Sequence, residues 1–418
     1  MTHKTYGFRR WLPFAIVSAV FFHITGSTFT SLGVVLPFMI EDMSWNWSRA
    51  GAGFSLLALM VGLASTVPVW TLRKFGIRAT FAAGGLLMAS GFALLALTQG
   101  LNQYFLAMGL LGVGYTLCCM VPAIHMINNW LPDRRSFAIG LYMTIGGLGG
   151  VAGPIIVTSI IGATDSWRVH WWAMAASILL LVLIAAIFVR SQPPEMRAGS
   201  ENFTPPREEK RSHRVFKAES DWHFHELVRT PQFHVIVASL TITLLCGLTA
   251  NSWAVTHMVS LGIPLTMAAG ALSAHAAINS LSRALGGVLG TRIDPKWLLV
   301  SGLAAEIVGM LALSVADDPA TMLLFALFEG YGFGMCLFAT TVLLVNYFGA
   351  SDTPESLGTM NLITTLAMVG PVLAGFVSDT FGSFAGAFQG YSVILFAILV
   401  AAVMMKPPRK TPAASDPH

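Results

Sequence analysis

The chain has 418 residues, of which 55% are hydrophobic and only 11% are charged. Soluble domains carry roughly a quarter charged residues, so a water-soluble fold is excluded for most of this chain. The formal net charge of +4 does not indicate a nucleic-acid partner, because the basic residues lie in short loops between apolar runs, as they do in membrane proteins.

Apolar runs that are long enough to cross a bilayer follow one another along the chain. A hydrocarbon core of about 30 Å requires roughly 20 apolar residues per helix. The predicted spans are residues 11–36, 50–71, 79–98, 103–130, 137–163, 168–190, 232–260, 266–290, 297–315, 320–347, 356–378 and 386–405. The sequence therefore predicts an all-α membrane protein with twelve transmembrane helices.

A polar stretch divides these runs six and six. Residues 191–230 contain mixed charges and four prolines, which predicts a cytoplasmic linker. It separates an N-terminal six-helix bundle at residues 1–190 from a C-terminal bundle at residues 231–405, and residues 406–418 form a predicted cytoplasmic tail. The first apolar run begins at Trp11 and is too long for a signal peptide, so we expect it to remain as a helix.

The distribution of basic residues predicts the orientation. With the N-terminus inside, 21 of the 24 Lys and Arg residues fall in the loops and termini on the cytoplasmic side. Only Arg49 and Arg168 fall outside, and Arg283 lies within a predicted helix. Because positive charge remains on the cytoplasmic side of a membrane, both termini are predicted to be cytoplasmic.

The two halves repeat each other. Four motifs of the first half recur in the second at offsets of 217 to 220 residues, and they pair Gly112-Val-Gly114 with Gly332-Phe-Gly334, Asn129-Trp130 with Asn346-Tyr347, Gly140 with Gly358, and Gly153-Pro154 with Gly370-Pro371. A duplicated six-helix unit predicts two pseudo-symmetric bundles with a site between them.

No cofactor or metal is predicted. All four cysteines lie in apolar runs without CxxC spacing, which is typical of packing residues. The sequence has no G-x-x-x-x-G-K-[ST] phosphate loop, and neither H-E-x-x-H nor G-x-S-x-G occurs, so an ATP-driven pump and an intramembrane enzyme are both disfavoured. A membrane sensor would require a sizeable soluble domain. An ion gradient is the expected energy source.

Short motifs recur in a characteristic order along the chain. They are Trp47-Ser48-Arg49-Ala50, Asn129-Trp130, Asp133-Arg134-Arg135, Gly140, Trp167-Arg168 and Asn279-x-x-x-Arg283. With them the sequence resembles the major facilitator superfamily, and within it the bacterial branch of monocarboxylate transporters and oxalate/formate antiporters. The resemblance implies the major facilitator fold, alternating access, a monomer that is not an enzyme, and a bacterial inner membrane.

Arg283 is the strongest candidate for a binding residue. A guanidinium inside a helix costs several kcal/mol unless it lines a cavity or has a partner, and its planar fork of donors matches a carboxylate. The alternative is a structural ion pair with a neighbouring helix. His275, Asn279 and Arg283 recur every four residues, so they share one face of the eighth helix. By resemblance, Asn279 stands where animal relatives carry an acid.

Three groups are candidates for proton coupling. Glu329 in the tenth helix is one, and a buried carboxyl of this kind can bind a proton; the cavity histidine His275 is another. His23 in the first helix is the third, although a lone buried histidine is more often a core residue. Glu306 in the ninth helix is expected to serve helix packing.

Further candidates shape the pocket. Trp253 and His257 share a face of the seventh helix, and the resemblance places a substrate contact near Trp253. Cys118 and Met120 occupy the positions of the family's polar contacts, which favours an aromatic or bulky acid, and Tyr331 lies beside Glu329 in the sequence. Gly149-x-x-x-Gly153-Pro154 is half of a drug-antiporter motif, but small residues at this spacing also allow helices to approach closely.

These observations predict a secondary transporter that takes up an organic monocarboxylate together with a proton. Its partners would be the small organic anion, the proton and the lipid bilayer. An exchanger or exporter of organic anions is the alternative within transport, and a non-transporting sensor is a remote one.

Overall fold

The computed structural model describes residues 11–131, 135–189, 216, 222–290, 292–348, 359–360 and 362–408. Every regular element in these ranges is a helix, which confirms the prediction of an all-α fold. The first half contains α1 (Trp11–Thr25), α2 (Ser31–Met43), α3 (Trp47–Leu63), α4 (Val67–Ala96), α5 (Leu101–Cys118), α6 (Met120–Trp130), α7 (Arg135–Thr164) and α8 (Trp167–Phe188). Most of the predicted linker, and Gly358 of the repeat, lie outside these ranges, and Gly140 is described only as part of the α7 backbone.

The second half begins with a short helix, α9 (Phe224–Leu227), in front of the membrane spans. The remaining helices are α10 (Pro231–Ser260), α11 (Leu265–Leu289), α12 (Pro295–Ser314), α13 (Pro319–Phe348), α14 (Gly370–Phe381) and α15 (Ala385–Met404). Pro231 and Pro295 each stand in the first turn of their helix, where the missing N–H costs nothing.

Ten stretches of the described residues are long and apolar enough to cross a membrane. One of them, Trp47–Ala96, is 50 residues long and makes two crossings, because it turns at Gly76 with a φ of 76° that glycine adopts readily. α11 is not among the ten, since its polar face lowers its hydropathy, yet it has 25 residues and packs between α7 and α13. The described residues thus contain the twelve predicted crossings of a multi-pass membrane protein.

Two crossings are irregular where they approach the middle of the molecule. α1 and α2 are joined by a π-helical turn at Gly26–Thr30, and α5 and α6 are joined at Cys119, whose backbone is not helical. Such irregular turns are frequent at functional sites. Gly149 and Gly153 of α7 pack against the backbone of Phe22 and Gly26, which bears out the close-approach interpretation of the Gly149-x-x-x-Gly153 motif.

The two halves share the same internal packing at a constant offset of 218 residues. A Cβ added to Gly84 would lie 2.6 Å from the sulfur of Cys118, and one added to Gly302 would lie 2.6 Å from the sulfur of Cys336. Both thiols also point at equivalent carbonyls, those of Phe81 and Leu299. This confirms the duplication.

The same offset corrects one motif pairing. The partner of Gly112-Val-Gly114 is Gly330-Tyr-Gly332, two residues before the predicted Gly332-Phe-Gly334. Gly114 packs against Gly84 and Gly332 packs against Gly302. α13 carries glycines at positions 330, 332 and 334, so spacing alone fits either alignment.

Candidate functional site

A cavity of roughly 310 Å³ lies between the two halves. The first half contributes α1 with its π-helical turn, α5 and α7, and the second half contributes α10, α11 and α13. Its polar wall consists of Thr25, Thr30, Tyr115, Asn251, His275, Asn279, Ser280 and Arg283. Concave sites with a few convergent polar groups are where small ligands bind.

Arg283 faces this cavity and is held by its neighbour one turn away. Its Nε atom donates a hydrogen bond of 2.9 Å to Oδ1 of Asn279. The ion pairs found among the described residues do not include Arg283. The structural alternative of an Arg that pairs with an acid on a neighbouring helix is therefore not what these residues show, and the guanidinium remains available to an anion.

The rest of the cavity wall is apolar and includes three aromatic rings. It includes Phe21, Phe29, Met143, Leu244, Leu248, Phe333 and Leu337. Phe21, Thr25 and Phe29 follow one another every four residues, so one face of α1 is turned to the cavity. Sequence reasoning missed this face, although its spacing could have revealed it.

His275 is the third residue of the α11 face, and it connects the cavity to a buried carboxyl. Its Nε2 atom contacts Oε2 of Glu329 on α13, and both side chains are almost completely buried. His275 lines the cavity and Glu329 lies behind it. The two predicted proton-coupling candidates of the second half thus form one pair.

Trp253 and His257 lie outside the cavity wall. The cavity face of α10 is Leu244, Leu248 and Asn251, and Trp253 is two residues further on. Because each helical residue turns by about 100°, a shift of two residues points to the opposite side. The indole of Trp253 donates to the carbonyl of Pro371 at 2.9 Å, and Nε2 of His257 lies 3.3 Å from the carbonyl oxygen of Ser314.

Tyr331 and His23 also lie two residues away from residues that line the cavity, Phe333 and Phe21. Phe333 and Leu337 form the cavity face of α13, whereas the hydroxyl of Tyr331 lies 3.0 Å from that of Ser301. Nε2 of His23 lies 2.6 Å from the hydroxyl of Ser177 on α8. Neither residue belongs to the cavity wall.

The two residues predicted from the fourth span also lie elsewhere. Tyr115 is the residue of α5 that faces the cavity, while Cys118 is fully buried against α4. Met120 begins α6 after the break at Cys119 and is 37% exposed, outside the cavity wall. Tyr115, and not Cys118 or Met120, is therefore the polar side chain that this part of the chain turns to the cavity.

The halves meet tightly at one end of the molecule, the end at which α2 ends and α3 begins, called here the Trp47 end. The indole rings of Trp47 and Trp253 are 5.6 Å apart, and both pack on Phe384. The backbone N–H groups of Trp47 and Ser48 each donate to the carboxylate of Asp379 at 3.0 Å. By the predicted orientation this end is periplasmic.

A comparison with protein families identifies the chain. The model of the Major Facilitator Superfamily matches residues 16–289 and 237–418. The chain belongs to this superfamily. Among its relatives in sequence are an uncharacterized MFS-type transporter, YhjX of Escherichia coli, 26% identical over 75% of both chains, and monocarboxylate transporter 12 of Xenopus laevis, 23% identical over 99% of this chain and 93% of that one. The oxalate:formate antiporter of Oxalobacter formigenes is 23% identical over 60% of this chain and 59% of that one.

Solved structures give the same fold. An inward-facing, unoccupied bacterial homologue of the human lysosomal transporter Spinster superposes with a TM-score of 0.72 at 16% identity, covering 96% of each chain. The nucleoside transporter NupG superposes with a TM-score of 0.72, covering 94% of this chain and 99% of that one. These relatives are transporters and not enzymes, which confirms the predicted family, its monocarboxylate branch and the major facilitator fold.

Proposed function

We propose that this superfamily member takes up an organic monocarboxylate with an apolar or aromatic body, coupled to a proton, across a bacterial inner membrane with both termini in the cytoplasm. The observation that carries the proposal is a single guanidinium, that of Arg283, in a cavity between the halves without a carboxylate partner among the described residues. Relatives named for monocarboxylate and for oxalate and formate transport support the substrate class.

Arg283 would hold the carboxylate. A fork of donors binds two carboxylate oxygens at once, and Asn279 fixes the fork through Nε, which leaves the terminal nitrogens for the ligand. Tyr115, on the opposite half, faces the same space. A ligand that contacts both Arg283 and Tyr115 would connect the two halves of the molecule, which move relative to each other in alternating access.

The apolar wall would determine which chemical groups the transporter accepts in the rest of the substrate, beyond its carboxylate. Phe21, Phe29 and Phe333 bring three aromatic rings to a cavity of roughly 310 Å³, and one methionine and three leucines add further apolar surface. Such surfaces favour a hydrocarbon or aromatic body over one rich in hydroxyl groups, because each buried hydroxyl without a partner costs about 1–3 kcal/mol.

The proton would be carried by the pair of His275 and Glu329. The pair has no net charge when it shares one proton and becomes cationic when it binds a second. His275 lies on the same helix face as Arg283 and lines the cavity, so the charge of the pair and that of the substrate carboxylate act on each other. An arriving anion would favour the second proton, which is the basis of coupling.

The first prediction concerns Arg283. Arg283→Ala removes the charged donor, and we expect uptake efficiency to fall between about tenfold and a hundredfold, the range for a hydrogen bond to a charged group. The measurement is uptake of labelled aliphatic and aromatic acids into proteoliposomes under an inward proton gradient.

Two matched variants sharpen this test. Arg283→Lys keeps the positive charge but loses the planar fork of donors. Its uptake efficiency should therefore lie between that of the native chain and that of Arg283→Ala. Arg168→Lys, at the exposed pair with Asp42, should leave uptake near that of the native chain. Undiminished uptake in Arg283→Ala would mean that Arg283 has a structural role and that the carboxylate assignment is wrong.

Exchange of two organic anions is the second candidate, and the antiporter among the relatives favours it. A counter-substrate inside the vesicles should then accelerate uptake more than a pH gradient does. Proton-coupled uptake predicts the reverse order.

A further inference from the structure

Three buried ionisable residues of the second half stand where the first half has apolar ones. At the offset of 218 residues, His275, Glu306 and Glu329 correspond to Leu57, Met88 and Leu111. All six side chains are at most 1% exposed. The same three-helix packing is thus built once from apolar side chains and once with a histidine and two carboxyl groups.

The local contacts establish this correspondence residue by residue. A Cβ added to Gly114 would lie 2.5 Å from Cγ of Met88, and one added to Gly332 would lie 2.6 Å from Cγ of Glu306. A Cβ added to Gly91 would meet Leu111, and one added to Gly309 would meet Glu329. The third pair of contacts joins Gly112 to the carbonyl of Leu57 and Gly330 to the carbonyl of His275.

Helix packing therefore does not require the carboxyl groups. Met and Leu of similar size fill the equivalent positions. Burying an ionisable group inside a membrane protein costs free energy, and an apolar side chain of the same size would pack there without that cost. The expectation that Glu306 serves helix packing does not account for its side chain being an acid.

Glu306 has few partners for a negative charge. Oε2 accepts a hydrogen bond of 3.1 Å from the hydroxyl of Thr243, while Oε1 is buried without a hydrogen bond. Oε1 of Glu329 is also buried without one. Each carboxyl thus keeps one oxygen atom free to carry a proton.

The groups that face the two carboxyls are otherwise neutral or acidic. Thr243 and Cys246 face them from α10, and Cys336 faces Glu306 from α13. Tyr391 of α15 lies near Cys246 and not against the carboxyls, and its hydroxyl donates to the carbonyl of Gly370 at 2.9 Å. Among the described residues His275 is the cation within reach, and it already contacts Glu329, so two ionised carboxylates would leave one charge without a counterion.

We propose that Glu306 is a proton-binding residue, held as a neutral carboxylic acid beside the His275–Glu329 pair. The three residues form one buried proton site, which opens to the cavity through His275. This part of the proposal does not depend on the identity of the substrate.

Its role in transport rests on the proposed function. The cluster takes up a proton from water on one side through His275 and returns it to water on the other side, so only O–H and N–H bonds form and break. In each cycle Glu306 passes its proton to the His275–Glu329 pair, whose positive charge then balances the ionised carboxylate, and it regains a proton in the next cycle, so a side chain that cannot ionise would break the coupling.

The direct test detects the acid itself. Infrared difference spectra of the reconstituted chain, taken between neutral and alkaline pH, should show the C=O band of a buried protonated carboxyl group. Glu306→Met, which copies Met88, and the isosteric Glu306→Gln should both lose that band, while the packing control Met88→Leu should keep it. An unchanged band in both Glu306 variants would overturn the proposal.

The transport test uses the same variants. With an inward gradient of about one pH unit, a carrier of one proton per monocarboxylate accumulates its substrate about tenfold. We expect Glu306→Met and Glu306→Gln to retain exchange of labelled for unlabelled acid and to lose this accumulation, whereas native accumulation in both would overturn the coupling role. If the native chain carries no carboxylate at all, the proposed function fails, and the infrared band alone then decides whether Glu306 holds a proton.

Discussion

A permanently charged side chain in the middle of a membrane protein needs either a counter-charge or a polar cavity. Arg283 has the cavity, and its hydrogen bond to Asn279 orients it without neutralising it. An amide at position 279 therefore leaves the positive charge of Arg283 available to a substrate. An acid there would provide Arg283 with an internal partner that competes with the substrate.

Asn279→Asp tests this competition. At neutral pH the new carboxylate should pair with Arg283 and weaken binding of the monocarboxylate by about tenfold or more, the value of a charge-assisted hydrogen bond. As the pH falls, the aspartate becomes protonated and releases Arg283, so binding should recover on the acid side. The measurement is the apparent KM for uptake over a range of pH.

Asn279→Ala is the matched control. It removes the orienting hydrogen bond but adds no charge, so its apparent KM should rise without the recovery at acid pH. Equal pH profiles for the two variants would show that position 279 does not act on the charge of Arg283.

The helix pairs α4 with α5 and α12 with α13 are the repeated units of this fold. Each pair approaches closely because glycines on one helix face larger residues on the other, as small residues allow in membranes. The two pairs differ in what the glycine meets. A Cβ added to Gly91 would lie 2.8 Å from Cγ of the Leu111 side chain, whereas one added to Gly309 would lie 2.4 Å from the backbone nitrogen of Glu329.

Gly309→Ala should consequently be more harmful than Gly91→Ala. The side chain of Leu111 can rotate away, but the backbone of Glu329 can move only if the helices separate, and overpacking of this kind costs about 1–3 kcal/mol. Thermal unfolding of the two variants in detergent measures the difference. A lower melting temperature for Gly91→Ala would contradict it.

At the scale of the whole molecule, the sequence predicted the fold and one face of the site. The twelve spans follow from hydropathy, and α11 was oriented correctly because three polar residues, His275, Asn279 and Arg283, recur every four positions. Trp253, Tyr331 and His23 were singled out by residue type, with no cavity-facing series of residues to fix the rotation of the helix. All three lie two residues away from residues that line the cavity. Glu306 was assigned to helix packing, because its correspondence to Met88 in the repeat is visible only once the packing of the two halves is aligned.

Trp253 and Asp379 belong to the closure between the halves at the Trp47 end. The carboxylate of Asp379 accepts both N–H groups at the start of α3, where the helix dipole favours a negative charge. Asp379→Asn keeps the shape and removes the charge, which should weaken the closure by about 1 kcal/mol, the value expected of an exposed interaction with a helix terminus.

That loss corresponds to a shift of about fivefold in the population toward molecules open at the Trp47 end. Spin labels at Thr164→Cys and Asp317→Cys, exposed positions of the two halves at this end, would report a longer distance in the Asp379→Asn background. The four native cysteines are buried, so labelling is selective. Glu41→Gln, an exposed acid at the same end, is the control that should leave the distances unchanged, and an unchanged distribution in Asp379→Asn would show that the aromatic contacts of Trp47, Trp253 and Phe384 close this end without the carboxylate.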